Sequence, residues 1–121
     1  MPNVSTETAE HYTWGSNCDG WHLVRMRELS IIEERMPPGA SESRHYHARA
    51  CQFFYVLHGE LTLEVDHYEH TLRTGEGIEI APGQRHQAIN RSAAPTRFLV
   101  TSQPPSHSDR INEVSQPSLQ G

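Results

Sequence analysis

The sequence predicts an all-β protein of the sandwich or barrel type, on two observations. Short runs rich in β-branched and aromatic residues recur through the middle of the chain, separated by turn formers at roughly 8–12-residue intervals. One run alternates strictly, with Leu61, Leu63 and Val65 on one face and Thr62, Glu64 and Asp66 on the other. That is the period of a strand and not of a helix. At 121 residues the chain is long enough for a single domain around one core.

The elements follow in order. Residues 1–19 read as an N-terminal extension, and within it residues 5–14 are the only stretch with a helical reading, from a Ser5 or Thr6 cap. Residues 20–101 hold most of the apolar side chains and form the expected barrel. Strands are expected over 20–25, over 29–36 (stopped by Pro37-Pro38-Gly39), over 52–58, and from Leu61 onward after Gly59. Asp66-His67-Tyr68-Glu69 predicts a hairpin turn into residues 70–73, and Gly75 and Gly77 punctuate the step to Ile78–Ile80. Residues 86–90 and 96–101 supply two more strands. Residues 102–121 open on turn formers around Pro104-Pro105 and predict a solvated tail, frayed beyond Glu113.

Composition excludes several functions. The ten basic residues are all arginine, so there is no amine for a Schiff base, a pyridoxal-phosphate anchor or a phosphate-binding P-loop. A net charge of −5 with scattered arginines lacks the concentrated basic face of a nucleic-acid binder. No apolar run approaches the roughly 20 residues of a membrane span, and no signal-peptide pattern opens the chain. A cytoplasmic protein is the expectation. Cys18 and Cys51 are too few for a disulfide framework and read as reduced thiols.

The nine histidines are dispersed, and a subset is spaced for chemistry. His45 and His47 are two apart, so on a strand their imidazoles share a face and can meet one metal ion. Gln52 begins the next strand, and His86 follows the turn Pro82-Gly83-Gln84-Arg85. A barrel can bring the four together. A His-x-His pair by itself is better read as two exposed strand residues.

The glycine framework decides between these. Gly39 is followed after five residues by His45-x-His47, after four more by Gln52 and after six more by Gly59. Gly75 is followed after five residues by Ala81-x-Gly83, then His86 and Asn90. This arrangement resembles the paired motifs of the cupin superfamily across about residues 20–101. There are two departures: Gln52 stands where that family usually has Glu, and Ala81-Pro82 reverses the usual order. The resemblance implies a cupin-type β-barrel (a double-stranded β-helix, or jelly roll) of two antiparallel sheets, and a homodimer. It also implies His45, His47, Gln52 and His86 as ligands of one divalent transition metal per chain, with coordination positions left open for a small molecule. Imidazole and amide oxygen suit Fe, Ni, Mn, Zn, Co or Cu alike. A Gln ligand would leave the site at +2 where Glu would reduce it to +1, a stronger Lewis acid. A second placement of Gln52 is as pocket lining beside a three-histidine metal.

Phe54 and Val56 share parity with Gln52 and line the pocket or fill the barrel, whereas Tyr55 and Cys51 face outward. Arg49, in the interruption between ligands, is a candidate for holding an anionic substrate; Arg44, Arg85, Arg91 and Arg97 read as surface residues. Asp109 and Arg110 are catalytic candidates if the tail folds back over the barrel mouth. His58 reads as a rim or surface residue, His67 and His70 as solvated residues flanking a hairpin tip, and Trp14 and Trp21 as packing over the barrel's outer face or at a subunit contact. The expected function is a metalloenzyme of dioxygenase or isomerase type acting on an anionic or chelating small molecule. The alternative is a non-catalytic cupin serving as a sensor or store.

Overall fold

The computed structural model describes residues 2–113. Its elements are β1 (Glu10–Trp14), β2 (Cys18–Arg25), β3 (Ser30–Met36), β4 (His45–His47), β5 (Cys51–His58), β6 (Glu60–Val65), β7 (Tyr68–Arg73), β8 (Gly77–Ile80), β9 (His86–Ile89), β10 (Thr96–Gln103) and β11 (Arg110–Asn112). They form two antiparallel sheets, ordered β1-β2-β3-β10-β5-β8 and β11-β4-β9-β6-β7. Phe54, Val56, Leu61, Leu63, Phe98 and Val100 are buried between them. The all-β, two-sheet expectation is met.

The strands lie close to where alternation and punctuation put them, because a half-buried strand carries its period in the sequence. On β5, Gln52, Phe54 and Val56 face inward, and Phe53, Tyr55 and Leu57 face out. On β6 both faces are covered: Thr62 and Glu64 are buried along with the leucines. The asparagine of the second glycine-framed motif is a structural tie. Buried Asn90 donates through Nδ2 to the carbonyls of Met36 and Ala94, and its Oδ1 accepts from Ser92.

Two expectations are corrected. Residues 5–14 are not a helix. The Ser5 carbonyl accepts from the N–H groups of Thr8 and Ala9, and the turn stops there. Glu10–Trp14 then pair with β2 from Glu10↔His22 to Trp14↔Cys18. The cap is a local signal, and five residues of ladder outweigh it. Nor is the segment after β10 a solvated tail. The chain doubles back and β11 pairs with β4, Arg110 opposite His47 and Asn112 opposite His45. The fraying expected beyond Glu113 lies outside the described residues.

Candidate metal centre

His45 and His47 project inward from β4, and His86 opens β9 directly opposite His45. Their rings lie 4.3 to 5.7 Å apart, centroid to centroid. One ligand atom from each falls within 4.8 Å of the others, the spread of a shared metal ion. All three residues are at least 95 % buried.

Each imidazole is held at the same ring nitrogen. His45 Nδ1 donates to the Ser43 carbonyl at 2.8 Å, His86 Nδ1 to the Gln84 carbonyl at 2.9 Å, and His47 Nδ1 to Asp109 Oδ1 at 3.0 Å. A proton fixed on Nδ1 leaves the Nε2 lone pair free on every ring. The Gly83 N–H, donating to the His47 carbonyl at 2.8 Å, ties the turn before His86 to β4. Burial holds all three imidazoles neutral: it pushes His45 down to about 3 and His86 down to about 4, and lowers His47. Neutral imidazole is the form that ligates.

Gln52 adds a fourth donor. Its Nε2 donates to Ser102 Oγ at 3.0 Å and to Ser106 Oγ at 3.4 Å. Its Oε1, and His86 Nε2, are buried with no hydrogen-bond partner among the described residues. Leaving such an atom unmet costs roughly 1–3 kcal/mol, and an ion held between them would remove that cost. The donor set therefore fits a transition metal.

The cavity beside the cluster has a volume of about 210 Å³. His45, His47, Gln52 and Phe54 line it, as expected, and so does Arg110. Val56 and Arg49 do not. Val56 is completely buried in the core, one inward position too deep on β5, and Arg49 is exposed, its backbone N–H donating to Asp109. Asp109 also lies off the lining. One oxygen accepts from His47, and the other accepts from the N–H groups of Arg49 and Ala50, both at 2.9 Å. Burial raises the Asp109 carboxyl, but these three donors together outweigh it and hold it ionised below the usual carboxylate range. Its geometry is that of a residue positioning His47.

Other cavity residues were not anticipated. Trp14 packs against the core and lines the cavity with Tyr12, where the sequence suggested the outer face; both share the inward parity of β1. Glu34 and Glu42 line it too. Burial and then neighbouring Glu42 push Glu34 up to about 8. Burial pushes Glu42 up to about 7, against the opposing pull of Arg110 and the Ala88 N–H. Glu34 has the parity of buried Ile32 and Met36, a signal masked by the charged run Glu33-Glu34-Arg35.

A two-sheet jelly roll with an inward histidine cluster beside a cavity is the arrangement that the glycine-framed motifs implied. The chain belongs to the cupin family: the cupin domain model matches residues 32–102. It is 36% identical over 62 residues to Protein SchB of Streptomyces halstedii, covering 51% of this chain and 45% of that protein. It is 36% identical over 55 residues to Polyketide synthase CurC of Streptomyces cyaneus, covering 46% and 36%. The chain thus spans less than half the length of these curated relatives. Its fold is similar to the polyketide cyclase RemF of Streptomyces resistomycificus, with a TM-score of 0.80 and 20% identity over 96% of this chain and 88% of that one. Among the described residues no helix is long and apolar enough to cross a membrane.

Proposed function

We propose that the protein is a metal-dependent cupin enzyme of isomerase type, closing or rearranging a carbonyl-rich, chelating small molecule of polyketide kind. The observation that carries this reading is the pair of buried, unpartnered atoms, His86 Nε2 and Gln52 Oε1, set in a three-histidine cluster beside the cavity. A bound divalent ion would supply Lewis-acid polarisation of a carbonyl or enolate oxygen. His45, His47 and His86 would hold it through Nε2, and Gln52 would complete the set without reducing its charge. Tyr12, Trp14 and Phe54 offer aromatic walls on which a flat, ring-forming substrate can pack while water is excluded. A relative whose name is that of a polyketide synthase supports this substrate class.

The test is anaerobic turnover of a linear methyl triketone by the metal-loaded protein. Aldol closure within the triketone is an isomerisation, and the ring it forms then loses one water to give a dihydroxytoluene. Acceleration of this closure that His86→Ala abolishes supports the reading. Turnover only with oxygen consumption would replace it with the dioxygenase, and binding without turnover with the sensor or store.

The same reading includes a homodimer. Phe53, Tyr55 and Leu57 are 43%, 37% and 38% exposed, an apolar stripe along the outer face of β5 suited to a second copy.

A further inference from the structure

Tyr12 on β1, Gly20 on β2 and Glu34 on β3 form one cross-strand row. The middle position must be glycine. A Cβ there would meet the Tyr12 ring at 2.2 Å and its hydroxyl at 2.5 Å. The ring instead lies across β2, and its hydroxyl donates to Glu34 Oε2 at 3.4 Å. Among the described residues this is the one donor that reaches the Glu34 carboxyl.

Glu42 comes from the segment before β4, with its side chain 10% exposed. Its Oε2 accepts from the Ala88 N–H at 3.0 Å, and its Oε1 lies 3.8 Å from Arg110 Nη1. Both carboxyls line the cavity that His45, His47 and Gln52 also line. The unpartnered Gln52 Oε1, in a residue 95 % buried, marks that cavity independently as a place for a ligand.

The charged and titratable groups around the pair are few. Tyr12 faces it from β1, Arg110 from β11, His45 and His47 from β4, and His107 from the segment before β11; the Cys18 thiol on β2 is near enough to feel both carboxylates. On β2 and β10 the row neighbours of Glu34 are Gly20 and Phe98. One cation faces two carboxyls. Buried carboxyls that sense each other cannot both ionise cheaply, so the pair keeps a proton near neutral pH, titrating as a unit.

We propose that Glu34 and Glu42 are the proton-transfer pair of this cavity, one acting as carboxylate and the other as carboxylic acid toward an enolisable carbonyl compound held at the histidine cluster. The identity of that compound rests on the function proposed above. The carboxylate takes a proton from the carbon next to the carbonyl, and the electron pair of that C–H bond becomes the C=C bond of the enol. The acid gives its proton to the carbonyl oxygen. The pair gains one proton and loses one, and its two members exchange roles. Tyr12 is the positioning residue that fixes the Glu34 carboxyl.

The test uses the metal-loaded full chain as wild type, Glu34→Gln, Glu42→Gln and Tyr12→Phe, with ortho-hydroxyacetophenone as an aromatic, chelating, enolisable probe. Metal content, the absorbance change on probe binding and deuterium uptake into the probe's methyl group are measured in heavy water. The expected result is unchanged metal and probe binding, with deuterium uptake slowed roughly 100-fold in each Gln variant and its pH profile displaced in Tyr12→Phe. Unchanged uptake in the Gln variants, or no uptake by a wild type that binds the probe, overturns the pair. Loss of metal in a Gln variant overturns it as well, by making that carboxylate a ligand. Where a Gln variant does not fold, Glu34→Asp and Glu42→Asp keep the acid, shorten its reach and carry the same test. If the wild type does not bind the probe, the function proposed above fails, and infrared titration decides the pair separately. A protonated-carboxyl C=O band at neutral pH, lost in Glu34→Gln or Glu42→Gln, sustains it, and absence of that band overturns it.

Discussion

Three different acceptors, two backbone carbonyls and the Asp109 carboxylate, hold the three imidazoles of the centre in one tautomer. Neutrality of those rings has a consequence for metal-free protein. The unfolded chain takes up protons on His45, His47 and His86 as pH falls through about 6.5, whereas folded His86 resists to about 4 and His45 to about 3. Stability from these groups is present above 6.5 and lost on the acid side. Glu34 and Glu42 act in the opposite sense. Their folded values of about 8 and 7 lie above the ordinary 4.5, so the stability they contribute is lost as pH rises toward 8. Above 6.5 the imidazoles are neutral in both states and, of these five groups, only the carboxyls act. Urea denaturation after chelation should therefore show a midpoint that declines from pH 6.5 to 8, and Glu34→Gln/Glu42→Gln should remove that decline. A midpoint rising steadily to pH 8 would contradict this assignment. The inward histidines and Gln52 were legible because strand parity and glycine spacing are local. Asp109 stood out as a candidate, but its role beside His47 was not legible, since that contact spans 62 residues of chain.

Strands β4 and β11 act as one element. β4 has three residues, too short to fix two ligands alone, and β11 pairs along its whole length. Asp109, just before β11, joins His47 to the backbone of Arg49 and Ala50. Asp109→Ala should weaken metal binding by about 10–100-fold in chelator competition, with the β-rich circular dichroism retained. Unchanged affinity would remove the positioning role. Alternation revealed strands that bury one face, such as β5. It was silent about β11, whose three residues are all exposed and which is specified by its partner. The Ser5 cap misled for the complementary reason: it forms its turn, but Tyr12 and Trp14 gain more by pairing with β2 and reaching the cavity.

On the scale of the molecule, two sheets enclose the centre while the outer face of β5 carries Phe53 stacked on Tyr55, centroids 6.2 Å apart. Light scattering should give twice the chain mass, and Phe53→Arg with Leu57→Arg should give the monomer; a wild-type monomer would refute the dimer. The fold was legible at this scale because glycine-framed motifs and strand periods agree. The cavity's acids were hidden, because burial of Glu34 depends on which strands flank β3. The central claim is that His45, His47, His86 and Gln52 hold an ion, and metal analysis of protein purified without added metal tests it most directly. One divalent transition metal per chain is expected, lost in His45→Ala/His86→Ala protein that remains folded. A folded wild type that neither contains nor takes up a stoichiometric metal, or a double variant that keeps it, would contradict that assignment.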